Sequence, residues 1–102
     1  MNPQRLDAKT VAEKITVTFS FAAALVAGEA ITTTNTIVVA PYIGVDAAPS
    51  SMVNGSATVD TVNGLILQSF MGGQPIVDYL LSSRVTTNQG RVLEALAILP
   101  VR

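Results

Sequence analysis

Residues 78–101 read DYLLSSRVTTNQGRVLEALAILPV. Two β-rich runs flank Asn88-Gln89-Gly90, the composition of a three-residue hairpin loop in which a type I turn is followed by a left-handed glycine bulge. Such a loop sets Thr87 opposite Arg91. Counting outward places Val85 opposite Leu93, Arg84 opposite Glu94, Ser82 opposite Leu96, Leu80 opposite Ile98 and Tyr79 opposite Leu99. An opposite-charge pair thus falls out of a register chosen on turn chemistry alone. Because side chains alternate along a strand, one face carries Tyr79, Leu81, Val85, Leu93, Ala95, Ala97, Leu99 and Val101, the pattern of a core face. The other begins near the turn with Thr86, Arg84 and Glu94 and continues into Leu80, Leu96 and Ile98. That apolar outer patch makes Leu80, Leu96 and Ile98, with Arg84 and Glu94 beside them, the candidate protein interface. The competing expectation is that an N-terminal segment or loop of the same chain covers it. Val92, Leu93, Leu96 and Leu99 also fit helical spacing, with Asn88 as an N-cap and Pro100 as a stop, but turn chemistry, charge pairing and the β-rich run agree on the hairpin.

With 102 residues, the chain is one domain, of a size that buries only about two-thirds of its unfolded surface. Hydrophobic residues are 49% and charged residues 13%, about half the usual charged share of a globular domain. A small domain so poor in charge is expected to bury much of its surface against other chains; the alternative is an apolar monomer kept soluble by its Ser and Thr residues. The net charge of −1 supplies no basic stripe to follow a phosphate backbone, so no nucleic-acid partner is expected. There is no cysteine, and hence no disulfide. Residues 1–14 hold five charges and no apolar core of a secretory signal, and the run 21–27 is far too short to span a bilayer. Synthesis and assembly in a cytoplasm, without membrane contact, are expected.

Residues 1–12 show weak periodicity, several charges and Pro3, and read as an N-terminal arm, extended or a single helical turn, expected to be disordered in isolation and ordered only against a neighbour, ahead of a β-sandwich domain at 13–102. Ile15, Val17, Phe19 and Phe21 alternate with polar residues as a first strand. Residues 30–40 read as a second strand closed by Pro41, and 41–51 as a loop. Strands around 56–62 and 65–70 meet at Asn63-Gly64, a two-residue hairpin signal. Six or seven short strands at roughly ten-residue spacing predict an all-β immunoglobulin-like or fibronectin-like sandwich. Tyr79 opens the penultimate strand, where such sandwiches often carry a tyrosine whose hydroxyl ties back to an upstream loop; a plain core aromatic is the alternative.

Histidine is absent along with cysteine, removing the commonest general base, the thiol nucleophile and the usual zinc ligands. The carboxylates are scattered, and Asp60 with Asn63-Gly64 reads as a turn rather than a calcium loop. No catalytic residue, metal, cofactor or small-molecule ligand is expected, and the protein is read as not an enzyme.

The pattern Gly72-Gly73, Tyr79, Thr86-Thr87, Gly90-Arg91 and a hydrophobic last strand resembles a family of small tailed-bacteriophage virion proteins, the fibre-to-tail adaptor proteins. The similarity extends to Leu25, Gly28-Glu29 and Ile31, and departs at Thr18-Phe19, where the family often has Asp-Trp. The resemblance implies a non-enzymatic structural protein of the virion, at the neck, collar or tail, joining a fibre or accessory protein to the head-tail junction or tail. Its implied partners are portal or head-completion, collar, tail or fibre proteins and copies of itself. Gly72, Gly73 and Gly90 would then serve backbone geometry, and Thr86, Thr87 and Arg91 would lie at the hairpin tip, touching a partner or solvated. A capsid decoration protein, or an immunoglobulin-like adhesin or ligand-binding module, are the alternatives.

Overall fold

The computed structural model describes residues 4–102, and the side chains of all of these except 33–36. The strands are β1 (Gln4–Arg5), β2 (Lys14–Ser20), β3 (Ile31–Ile43), β4 (Val53–Asp60), β5 (Leu65–Met71), β6 (Val77–Thr87) and β7 (Val92–Val101), with one turn of 3-10 helix at Pro49–Met52. One sheet has the order β1-β7-β6-β3 and the other β2-β5-β4. The two sheets form a sandwich, so the all-β sandwich read from the sequence is the fold found. Val17, Phe19, Ile66 and Phe70 from one sheet and Val39, Tyr79, Leu81, Val85 and Leu99 from the other form a single buried cluster.

The β6–β7 hairpin has the expected register, from Thr86 opposite Val92 through Arg84 opposite Glu94 to Tyr79 opposite Leu99. At its turn the Thr87 N–H donates to the Arg91 carbonyl at 2.9 Å and the Gly90 N–H to the Thr87 carbonyl at 3.1 Å. Gly90 sits at φ 77, a conformation glycine adopts without steric cost. The helical alternative for residues 92–99 is excluded by the ladder.

Other boundaries move for identifiable reasons. β3 runs past Pro41 to Ile43, because it is the outer strand of its sheet and a proline there need not donate to a neighbour. The β4–β5 connection is a four-residue turn, Asp60 pairing with Leu65; the Asp60 carboxylate accepts the Val62 and Asn63 N–H groups at 3.1 Å each, which widens the two-residue Asn63-Gly64 loop the sequence suggests.

The N-terminal segment corrects an expectation. Gln4 and Arg5 pair in parallel with Ala97 and Ile98, the Leu6 N–H donates to the Ile98 carbonyl at 2.8 Å, and Lys9 exchanges backbone bonds with Pro100 and Arg102 at 3.0 and 2.9 Å. The segment therefore lies on the domain's own β7 edge instead of standing off to meet a neighbour; residues 1–3 of the arm lie outside the described residues. Backbone pairing needs no hydrophobic alternation, so the weak periodicity of 1–12 carried no information about it. Lys9 is buried, its ammonium donating to the carbonyls of Thr10 at 2.6 Å and Gly72 at 2.7 Å, and burial pushes its pKa down.

The β5–β6 loop is strained. Gly72, Gly73 and Ile76 all have positive φ, and Ile76, a β-branched residue at φ 62, carries on the order of 1–3 kcal/mol of backbone strain. Gly73 lies at φ 93, and a Cβ there would also come within 3.1 Å of Val101 and 3.2 Å of Met52, so any side chain at this position would be strained and would press on its neighbours. Tyr79 holds this loop. Its hydroxyl accepts the Gln74 N–H at 2.7 Å and donates to the Asp46 carboxylate at 2.6 Å, joining the 72–76 and 44–48 loops; burial, and then the Asp46 bond, raise its pKa. Tyr79→Phe should leave the ring packed but the Gln74 N–H unpartnered, and is expected to lower stability in urea denaturation by about 1–3 kcal/mol. An unchanged midpoint would show that the hydroxyl is not the tie.

Candidate interaction surface

The residues that stood out in sequence as Gly28-Glu29, Thr86-Thr87 and Gly90-Arg91 come together at one end of the sandwich. The 21–30 loop runs beside the β6–β7 turn, and Asn88 clamps it: its backbone N–H donates to the Ala30 carbonyl at 2.9 Å, its amide donates to Gly28 at 3.2 Å and accepts the Ala30 N–H at 3.1 Å. The Glu29 side chain is fully buried. It accepts from the Thr87 hydroxyl at 2.6 Å, from Arg91 Nε at 2.8 Å, from Arg91 Nη2 and from the Val26 N–H at 3.1 Å. Arg91 Nη2 also donates to the Ala24 carbonyl at 2.7 Å. Thr87 and Arg91 therefore turn inward to Glu29, a role that neither the contact nor the solvated reading of the hairpin tip contained. Charge-assisted, two-pronged bonding of this kind is the strong form of the hydrogen bond.

The outer face of the β1-β7-β6-β3 sheet has an apolar centre between two ionic ends. Cross-strand rows put Ala40, Leu80, Ile98 and Arg5 in line, then Val38, Ser82 and Leu96, then Arg84 and Glu94. Leu80 and Leu96 are half-buried, Ile98 is buried within the chain, and Val38 is 48% exposed. At one end Asp78 accepts from Arg5 and Arg102 at 3.1 Å each, and the Arg102 bond, then Arg5, hold its pKa low. At the other end Arg84 meets Glu94 at 3.0 Å, where Ser82 also donates at 2.9 Å. The Ser82 and Arg84 bonds lower the Glu94 pKa. Thr86 is half-buried on this same face, nearer the turn. Val38 was not legible as a member, since the hairpin turn does not determine which residues of β3 lie beside β6.

Glu29 gives the cluster a pH signature. The Arg91 bonds, and then the Thr87 hydroxyl, bring its pKa from the ordinary 4.5 to about 2. A carboxylate whose pKa is depressed by folding stabilises fully above its unfolded value, and that stabilisation is lost as pH falls through the folded one. The stability advantage of the wild type over Glu29→Gln is therefore expected to be constant above about pH 5 and to shrink between about pH 4.5 and 2. Denaturation midpoints of both proteins across that range provide the measurement, and an advantage flat through the window would remove Glu29 as the tie.

Among the described residues no group of three or more acidic, His or Cys side chains is placed to hold a metal, and no helix is long and apolar enough to cross a membrane. No curated protein shows significant similarity to the chain. A family model described as podophage GP4 fiber-tail adaptor protein gp77 matches residues 9–100. That span starts at the buried Lys9 and takes in the Glu29 cluster, the Tyr79 tie and the closing hairpin up to Pro100, so the chain belongs to the podophage GP4 fibre-tail adaptor protein family.

Proposed function

We propose that this chain is a non-enzymatic structural protein of the phage particle, an adaptor that joins a fibre or accessory protein to the tail or head-tail junction through the outer face of the β1-β7-β6-β3 sheet. The observation that carries this reading is the make-up of that face. Its centre is aliphatic, from Val38, Leu80 and Leu96 with Ile98 beneath, and its ends are ionic, at Asp78 with Arg5 and Arg102 and at Arg84 with Glu94. Protein interfaces have this plan, an apolar centre within a polar rim. Removing the remaining exposed area of Leu80 and Leu96 from water contributes on the order of 1 kcal/mol each, part of which association entropy offsets. The rim pairs are solvent-exposed on the Arg side and contribute mainly orientation and specificity. The partners in this reading are other virion proteins: portal or head-completion, collar, tail or fibre.

Leu96→Asp tests the surface. The side chain lies outside the core cluster, so the purified variant is expected to stay folded, with a small loss in urea denaturation, while its incorporation into particles is abolished. Mass spectrometry and microscopy of purified virions read the second quantity and should find the wild type at the neck or tail. A loss of several kcal/mol, typical of a core site, would invert the face assignment. A folded variant that is still incorporated would move the contact elsewhere, and absence of the wild type from particles would overturn the adaptor role.

A further inference from the structure

Four outer strands end the two sheets, and three of them resist further pairing. Among the described residues β1 has only two. β3 shifts register against β6 at three places and contains Pro41, and β4 shifts against β5 between Asn54 and Thr58. Short length, proline and bulges are the usual means by which edges avoid adding strands. β2 is seven residues long with neither proline nor shift, and its one charge, Lys14, stands at its end: Lys14 to Ser20 pair residue for residue with Met71 to Leu65.

The direction of its free backbone groups follows from one bond. The Phe21 N–H donates to the Gly64 carbonyl at 2.8 Å, continuing the β2–β5 register, so Phe21 and Gly64 form a hydrogen-bonded pair. Antiparallel ladders alternate bonded and non-bonded pairs. Phe19, Val17 and Ile15 therefore bond to β5, while Ser20, Thr18, Thr16 and Lys14 turn their N–H and C=O groups to the open edge. Among the described residues no strand lies there.

We propose that this edge binds the same edge of a second copy of the chain, β2 against β2, antiparallel and centred on Val17, joining two three-stranded sheets into one of six strands. That register sets Lys14 opposite Ser20, Thr16 opposite Thr18 and Val17 opposite itself, so every outward amide and carbonyl of the strand meets an outward group of the other copy. A one-residue slip would set outward groups against inward ones. Cross-strand Thr pairs are favourable on an exposed face, each lysine meets a serine rather than another lysine, and Ile15, Val17 and Phe19 keep to the core side of both copies. The contact is isologous and closes as a two-fold dimer. It is independent of the adaptor role, because purified protein alone reports it.

Sedimentation of the purified chain is expected to rise with concentration to twice its 10.6 kDa mass. Thr16 and Thr18 are exposed, so the double variant Thr16→Lys/Thr18→Lys should keep its unfolding midpoint yet stay monomeric, with lysine facing lysine twice. Thr16→Glu/Thr18→Glu should do the same, and an equimolar mixture of the two should restore a dimer containing one of each. Thr18→Pro, which removes an outward N–H but no bond to β5, should also be a folded monomer. A wild type monomeric at every soluble concentration, Lys or proline variants that still dimerise, or a mixture that fails to pair would each overturn the proposal.

Discussion

A hairpin closed by a three-residue bulged turn has one register, and the rest of this molecule depends on that constraint. Gly90 at φ 77 lets the chain reverse with Thr87 facing Arg91, and from there alternation decides which side of each residue is inside. A slip by one would turn one strand over against the other, sending either Tyr79, Leu81 and Val85 or Leu93 and Leu99 into solvent and bringing Arg84 or Glu94 into the core. Were β6 the strand inverted, the Tyr79 hydroxyl could no longer reach Asp46 and Gln74. Arg91 and Thr87, which flank the turn, would no longer present to Glu29. The turn thus positions both the apolar core and the polar ties around it.

Those ties use most of the few charges available. Arg91 is committed to Glu29, Arg5 and Arg102 to Asp78, Arg84 to Glu94, Lys9 to the Gly72 carbonyl, and Asp46 to Tyr79. Several join segments far apart in the chain: the first strand to β6, the 21–30 loop to the last hairpin, the 44–48 loop to the 72–76 loop. In a domain whose burial margin is thin, such links hold loops that the core does not reach. Large surfaces carry little charge as a result, including the Thr16 and Thr18 stretch of the β2 edge and the Val38, Leu80 and Leu96 centre of the outer face.

What the sequence revealed depended on local chemistry. The β6–β7 register was legible in full because turn type, charge pairing and alternation are all written within 24 consecutive residues. Tyr79 could be placed at the start of its strand, though its partners Asp46 and Gln74 could not be named, since nothing local links a loop aspartate to a tyrosine 33 positions away. Glu29 stood out only beside Gly28 in the family resemblance. Its burial under Arg91 is a contact across 62 positions, and an isolated glutamate gives no periodic signal. Ser83 is the quiet exception on the core face: the register requires it to point inward opposite Ala95, and its buried hydroxyl lacks a partner among the described residues. The β1 pairing escaped notice because backbone bonds are indifferent to side-chain type.

An adaptor must hold at least two bodies at once, and this fold separates the directions in which it can do so. The outer face of the β1-β7-β6-β3 sheet offers side chains perpendicular to its plane. The β2 edge belongs to the other sheet and offers backbone groups within its plane. The two surfaces share no residue, and no part of the hairpin has to move for both to be occupied. The Glu29 knot and the Tyr79 tie belong to neither, which fits their position: they fix the loops at the ends of the sandwich while the sides stay open. An aliphatic face binds by area and tolerates variation in its partner, whereas a strand edge binds by backbone spacing and enforces register. A domain carrying one of each can meet a varied partner on its face while its own edge imposes the symmetry.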